Sequence, residues 1–315
     1  MTQVAPPPQI ETTPSLRLTA CVLLAGSLRA SPLAAAARCS VLDLYLTPSE
    51  TVLDVWMRHF EAIAAALDQK PVVHVIYGAA TPAPRVPKHS NRLEFKLQED
   101  AQQFRGPAGA VRDACSCYPP DATVLVVEAA RYVSGDLTRM VAEHQSKNAD
   151  ITVACNEDST PAGLFLIRCA TLELVPTKGF TDLKEQWLKK ALDKSHSVRV
   201  HRLRDGYSYE LRTREGFLHA AAAAGGLTST SVRSSTDSAV VPADSPDVVH
   251  AVRDDVSIGN RAVIVDSVVM PGASIGEDAV VARSILCPGA RVNAGGTVVE
   301  GVVPAGQTPG RESVG

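Results

Sequence analysis

The sequence has few aromatic residues and no excess of positive charge. Only 4% of its 315 residues are aromatic, which gives little support for a surface that stacks nucleic-acid bases. The formal net charge is −3, which provides no basic field for a nucleic-acid backbone or an anionic membrane surface. We therefore expect no nucleic-acid partner.

Long apolar runs are also lacking. No segment approaches the ~20 consecutive apolar residues that a membrane-spanning helix requires. The apolar stretch at 18–25 is short, follows a proline-rich tail and is interrupted at 26–29, which disfavours a signal peptide. We expect no membrane association.

The cysteines lack the spacing of a metal or disulfide framework. No two of them are arranged as Cys-x₂-Cys, the usual signature of a zinc site. Scattered, unpaired cysteines are typical of a reducing compartment, so we expect a cytoplasmic protein. The seven cysteines are at positions 21, 39, 115, 117, 155, 169 and 287.

The C-terminal part contains a repeat with a period of 17 residues. Ser-Ile-Gly at 257–259 returns at 274–276 and, in altered form, at 291–293. Pro-Gly-Ala at 271–273 returns at 288–290 with the same period. A three-sided coil needs one inward aliphatic residue per side and small residues at the corners.

This repeat predicts a short left-handed parallel β-helix over 248–303, of the hexapeptide-repeat type. A single coil cannot bury its own apolar side, so neighbouring coils must stack. An ordinary sheet with regular hairpins is the alternative, but alternation with a period of two is weak here. We expect this β-helix to assemble subunits, as a homo-oligomer or with a partner subunit, or to dock on the remainder of the chain.

The preceding residues, 17–220, alternate between apolar strands and amphipathic helices. Continuous apolar strands indicate a mostly parallel sheet covered on both faces, and right-handed crossovers make it a Rossmann-like α/β fold. Residues 1–16 and 304–315 are predicted tails, and 221–247 is a predicted linker. Strands are predicted at 18–24, 72–77, 93–97, 123–127, 151–154, 164–168 and 198–203, and helices at 51–67, 109–118, 136–148 and 181–192.

Several local motifs occur in an order that resembles one enzyme family. They include Leu-Ala-Gly at 24–26, Gly-Pro-Ala-Gly-Ala at 106–110, Ala-Gly-Leu-Phe at 162–165 and Asp-Gly-Tyr at 205–207. Together with the terminal β-helix, they resemble the sugar-1-phosphate nucleotidyltransferases, or NDP-sugar pyrophosphorylases, over 18–303. The mannose-1-phosphate guanylyltransferase group is the most similar, and this chain resembles a degenerate member.

The resemblance implies a fold of the nucleotide-diphospho-sugar transferase type and a nucleotide or sugar-nucleotide ligand. It also implies that five small residues contact this ligand, because backbone N–H groups at glycine-rich turns bind phosphate. These candidate ligand-binding residues are Ala25, Gly26, Gly106, Gly109 and Gly163.

The cationic groups of the family's motifs are altered here. The glycine-rich loop is two residues shorter and has lost its Gly-Thr-Arg unit, which leaves Arg29 as the first candidate catalytic residue, since it could contact a phosphate. The family's Pro-Lys aligns with Arg38 and Cys39, and a thiol cannot neutralise a phosphate. Arg38 is therefore the second candidate catalytic residue, although arginine does not copy the position of lysine.

The metal and sugar sites are altered as well. The first magnesium-binding aspartate of the family aligns with Ala130, and its partner aligns with Glu210. Glu128 is close to Ala130 in sequence, but strand geometry disfavours it as a replacement. The family's sugar-contacting segment after strand 151–154 is deleted, and Pro161 stands where the family has its sugar-binding asparagine.

Two functional interpretations follow from the resemblance. The first is a protein with lost or reduced catalysis and a ligand-binding, regulatory or assembly role. The second is an active transferase with a rebuilt site, which converts an NTP and a sugar-1-phosphate into an NDP-sugar and pyrophosphate with Mg²⁺ as its cofactor. A third, acyl transfer on the β-helix with His250 as a base, is disfavoured because no catalytic loop interrupts the repeat. We favour the first and expect no cofactor unless the protein is active.

Overall fold

A computed structural model describes most of the sequence. Arg29, most of the predicted linker, most of the predicted N-terminal tail and half of the predicted C-terminal tail lie outside the described residues, as does the side chain of His250. The described residues are 16–26, 31–67, 70–87, 90–100, 105–225, 250–251 and 255–309.

A seven-stranded, mostly parallel sheet forms the centre of the first part of the protein. Its strand order is β3-β2-β1-β4-β7-β6-β8, and only β7 runs antiparallel to its neighbours. The predicted parallel α/β sheet is confirmed. Between residues 16 and 225 the described strands are β1 (Ala20–Leu24), β2 (Val72–Gly78), β3 (Glu94–Asp100), β4 (Thr123–Glu128), β5 (Arg131–Val133), β6 (Ile151–Cys155), β7 (Pro161–Arg168), β8 (Val198–Arg202) and β9 (Ser208–Glu210).

Helices cover both faces of this sheet. Side chains along β1 and β4 alternate between two apolar clusters, so that Leu23 packs with Trp56 and Phe60 whereas Val22 packs with Trp187. This alternation is what a strand buried on both faces produces. The helices are α1 (Pro32–Ala37), α2 (Val52–Ala65), α3 (Gly106–Ala114), α4 (Thr138–Ser146), a π-helix (Leu183–Leu188) that continues into α5 (Lys189–Asp193), and α6 (Arg214–Ala223).

One helix lies a few residues before its predicted position. The sequence predicts a helix at 109–118, but α3 already starts at Gly106 and ends at Ala114. Gly106 has a φ of +70°, and Pro107 occupies the first turn, where proline costs no hydrogen bond. Glycine and proline usually interrupt helices, which explains why the prediction placed the start too late.

The C-terminal part consists of three parallel sheets of short strands. Their orders are β10-β13-β16-β19, β11-β14-β17 and β12-β15-β18. The strands are β10 (His250–Ala251), β11 (Ser257–Ile258), β12 (Val263–Val265), β13 (Ser267–Val269), β14 (Ser274–Ile275), β15 (Val280–Ala282), β16 (Ile285–Leu286), β17 (Arg291–Val292), β18 (Thr297–Val299) and β19 (Val302–Val303).

Strand pairing in these sheets follows the sequence repeat. Ile258 pairs with Ile275, which pairs with Val292, so that each partner lies one 17-residue period further along the chain. At one corner, residues with positive φ recur at the same period, and two of them, Arg283 and Glu300, form an ion pair of 2.8 Å. This pairing is the one expected of a three-sided β-helix, and its left-handed sense stays a prediction.

The coils pack directly against the α/β part. Met270 and Ile285 belong to the same apolar cluster as Leu23 of β1. The backbone N–H of Ala305 also donates a hydrogen bond of 2.8 Å to the carbonyl oxygen of Ala36 in α1. The coil therefore shares a core with the sheet. Of the helices in the described part of the chain, none combines the length and the apolar character needed to span a bilayer.

Candidate functional site

The candidate site lies at the carboxyl ends of the central strands. The N–H of Ala129, just after β4, donates to the carbonyl oxygen of Leu24 at 3.0 Å, which holds the ends of β1 and β4 together. The start of β7 lies beside the end of β4, because these strands are antiparallel and Val127 pairs with Leu164. Open α/β sheets bind their ligands at this edge.

Three charged side chains meet at the end of β4. The Glu128 carboxylate accepts from Lys184 Nζ at 2.7 Å and from Arg131 Nε at 3.1 Å. The Glu128 side chain is 22% exposed, that of Lys184 is 39% exposed and that of Arg131 is 12% exposed, so the group is half-buried. Burial raises the pKa of Glu128, but the two cations outweigh it and hold the pKa below its ordinary value. Glu128 is therefore an ionised carboxylate with two cationic partners.

Gly163 provides the space for this charged group. A Cβ atom there would lie 2.5 Å from both Cδ and Nε of Arg131 and 3.0 Å from Glu128 Oε2. Its φ of +73° also favours glycine. The predicted ligand-binding residue Gly163 thus lies directly beneath the Arg131 side chain.

The positions that align with the family's metal ligands are neighbours in space. The N–H of Leu211 donates to the carbonyl oxygen of Ala130 at 2.9 Å, and Arg131 pairs with Glu210 across β5 and β9. Ala130 supplies no oxygen from its side chain, and the Glu210 carboxylate lies 3.8 Å from Arg212 Nε. Among the described residues, no three His, Cys, Asp or Glu side chains converge as a metal site would require. A lone carboxylate binds Mg²⁺ weakly.

Two of the predicted ligand-binding glycines are covered by the chain itself. The N–H of Ala108 donates to the carbonyl oxygen of Thr181 at 3.2 Å, within the first turn of α3. A Cβ at Gly106 would lie 2.6 Å from that same oxygen, and one at Gly109 would lie 2.6 Å from Cβ of Arg105. The start of α3, where the resemblance expects a nucleotide, is therefore occupied by the chain's own backbone and side chains.

The remaining predicted residues are placed as follows. Ala25 is buried at the end of β1. A Cβ at Gly26 would lie 2.3 Å from the backbone nitrogen of Gly78, so close packing of β1 against β2 already requires glycine there. Arg38 is exposed at the end of α1, and the described residues give its side chain no hydrogen bond or ion pair. The ligand roles of these residues stay predictions.

The connection between β6 and β7 is a short turn at 156–160. Asn156 closes it, because its N–H donates to the carbonyl oxygen of Thr160 at 2.9 Å and its Nδ2 donates to Thr160 Oγ1 at 2.8 Å. No further strand lies between β6 and β7 in this fully described segment. Pro161, the first residue of β7, is exposed.

Sequence reasoning missed Lys184 and Arg131. Lys184 is the second residue of the π-helix, where its N–H donates to Asp182 Oδ1 at 2.7 Å, and the neighbouring Trp187 anchors the helix through Nε1–H to the carbonyl oxygen of Thr171 at 3.0 Å. Glu128 gave a usable signal, because a carboxylate at the end of a buried strand needs a partner. Glu128 and Lys184 are 56 residues apart in sequence, so the sequence alone does not show that Lys184 is the cationic partner.

Comparisons with solved structures identify the fold. A UDP-glucose pyrophosphorylase solved with UDP-glucose aligns over 66% of this chain and 98% of its own, at 13% identity and a TM-score of 0.49. A Bacillus anthracis protein assigned as a glucose-1-phosphate thymidylyltransferase, solved with sucrose, aligns over 65% of this chain and 95% of its own, at 13% identity and a TM-score of 0.50. This chain has the sugar-nucleotidyltransferase fold. No protein-family model and no curated protein matches the sequence significantly.

Three features distinguish the edge of the sheet at which β1 and β4 end. These are the charged group on Glu128, the alanine at position 130 and the self-covered start of α3. A likeness at 13% identity establishes the fold alone, and the residues at this edge decide which chemistry is possible.

Proposed function

We propose that this protein has lost or greatly reduced nucleotidyl transfer and acts through ligand binding or assembly. The observation that carries the proposal is the engagement of Glu128 by Lys184 and Arg131 beside Ala130. Attack of a sugar phosphate on an NTP needs a metal ion held by well-placed carboxylates. Here Glu128 is held by two cations, and Glu210 lies 3.8 Å from Arg212 Nε.

The energetic consequence of these replacements is large. Loss of one well-placed group that stabilises transition-state charge typically costs about 10²–10³ in rate. The first metal ligand is absent, which removes an oxygen donor for Mg²⁺. The nearby cations Arg131 and Lys184 also repel the metal ion. The short turn at 156–160 further supports the proposal, because a sugar-contacting segment is missing.

An assembly role agrees with the C-terminal part. We propose that its coils form a left-handed β-helix whose free end contacts a second copy or a partner subunit, since β17, β18 and β19 end their sheets. All seven cysteines are free thiols, which supports a reducing compartment such as the cytoplasm. The same proposal includes that the chain is a degenerate member of the family that its sequence motifs resemble.

Pyrophosphate release tests the loss of catalysis. Each of ATP, GTP, CTP, UTP and dTTP is incubated with mannose-1-phosphate or glucose-1-phosphate and saturating Mg²⁺, and an active glucose-1-phosphate thymidylyltransferase with dTTP serves as the positive control. We expect no release above the rate without protein, because the described residues offer no cluster of carboxylates that would hold the metal. Release that disappears in a Glu210→Gln variant would instead establish the active transferase with a rebuilt site.

A further inference from the structure

The charged group at the end of β4 has unused hydrogen-bonding capacity. Arg131 uses Nε to bind Glu128, and its two terminal nitrogens have no acceptor among the described residues. Within the described part of the chain, Glu128 is likewise the one acidic partner of Lys184 Nζ, which has three donors. Neither terminal nitrogen of Arg131 is a fully buried atom without a partner, and the Lys184 side chain is 39% exposed, so these donors reach solvent.

The group carries a net positive charge of one. Glu128 is ionised, since its pKa lies below the ordinary value, whereas Arg131 and Lys184 are both cationic. Glu210, opposite Arg131, adds a negative charge that Arg212 offsets at 3.8 Å. Half-buried cations with free donors attract anions more strongly than fully solvated ones, because the effective dielectric is lower.

We propose that Arg131 and Lys184 bind the diphosphate of a nucleoside diphosphate or NDP-sugar without any divalent metal. In this arrangement the two side chains replace the charge that a metal ion would supply beside position 130. Arg131 offers a planar pair of donors and Lys184 a compact charge, which suits two neighbouring phosphoryl groups. The inference rests on the proposed function, because it assigns the ligand of a site that no longer performs transfer.

Glu128 acts in this site as a competing, built-in anion. It orients both cations while the ligand is absent, and it weakens binding by repelling the incoming phosphate. Removal of the carboxylate and removal of either cation should therefore change affinity in opposite directions. Gly163 is required because any side chain there would displace Arg131.

Calorimetry in excess EDTA tests the proposal, with inorganic pyrophosphate and UDP, GDP, ADP and CDP as probes. We expect metal-free binding of pyrophosphate and at least one diphosphate, which Lys184→Gln and Arg131→Gln each weaken about tenfold or more. Glu128→Gln should tighten binding about tenfold, a gain that misfolding cannot imitate. Lys189→Gln, in the following turn of the same helix and exposed, and Arg199→Gln, exposed on β8, are the matched controls and should bind as wild type does.

Several results would overturn the proposal. These are no binding in EDTA at millimolar ligand, binding that requires Mg²⁺, or equal affinities of wild type and both cation variants. If no diphosphate binds in EDTA, the result of the pyrophosphate-release assay is unaffected, and the proposed loss of catalysis still stands. Conversely, turnover with Mg²⁺ would remove the proposed function while metal-free binding could still be measured and confirmed.

Discussion

Replacing Trp187 with alanine is expected to lower the free energy of unfolding by about 3–5 kcal/mol. The Trp187 ring is fully buried between the sheet and the π-helix, within the cluster that contains Val22 and Val124. Its loss creates a cavity and leaves the carbonyl oxygen of Thr171 without the donor that lies 3.0 Å away. Urea-induced unfolding, followed by far-ultraviolet circular dichroism, measures the change.

Two further variants separate packing from hydrogen bonding at this position. Trp187→Phe retains most of the apolar volume and loses the hydrogen bond, so we expect a loss of about 1–2 kcal/mol. Leu192 lies in α5 and is 55% exposed, so Leu192→Ala should change the free energy of unfolding by only about 0.5 kcal/mol. Equal losses in Trp187→Ala and Leu192→Ala would contradict the buried anchoring of the helix that presents Lys184.

Replacing Ile285 with aspartate is expected to lower the free energy of unfolding by at least about 4 kcal/mol. Ile285 is fully buried in β16 and belongs to the cluster that joins the coils to the sheet. A carboxylate there would be removed from water and surrounded by the apolar side chains of this cluster. Urea unfolding and hydrogen exchange of the coil strands measure the effect.

The neighbouring coil provides a matched control. Val302 is the strand partner of Ile285, one repeat later, but it is 37% exposed. Val302→Asp should therefore cost about 1 kcal/mol or less, since its carboxylate stays hydrated. If both substitutions had the same effect, the shared core between the coils and the sheet would be wrong.

The repeat could be predicted in detail from sequence because its chemistry is local and periodic. Each 17-residue period repeats the same small and aliphatic residues, and the structure pairs Ser257 with Ser274 and Ser274 with Arg291 in that register. The buried strands of the sheet were equally recognisable, because a run such as 123–127 is apolar throughout. Ile285 could not be assigned to the shared core, since nothing in its own repeat shows which side of the coil meets another unit.

The candidate site was only partly predictable. The absence of a carboxylate at Ala130 follows from motif order alone, and the structure places that residue beside Glu210 through the Ala130–Leu211 hydrogen bond. The pairing of Glu128 with Lys184 was not predictable, because an ion pair across a long sequence separation depends on how the π-helix packs against the sheet. His144 shows the opposite case, because it lies on the apolar side of the helix predicted at 136–148 and the sequence therefore predicts that it packs there. It is buried and hydrogen-bonded to Thr152 at 2.8 Å, and burial lowers its pKa to about 4, as suits a packed, neutral residue.

If cations have replaced the metal at the end of β4, the protein should not bind a divalent metal ion tightly. Titration of the protein with Mn²⁺, monitored by the electron paramagnetic resonance signal of the free ion, tests it most directly, with EDTA as the positive control. We predict that the protein leaves this signal unchanged at micromolar Mn²⁺, because Ala130 supplies no carboxylate, Glu210 lies 3.8 Å from Arg212 Nε, and no metal-ligating side chains converge among the described residues. Tight Mn²⁺ binding that is lost in a Glu210→Gln variant would contradict the account.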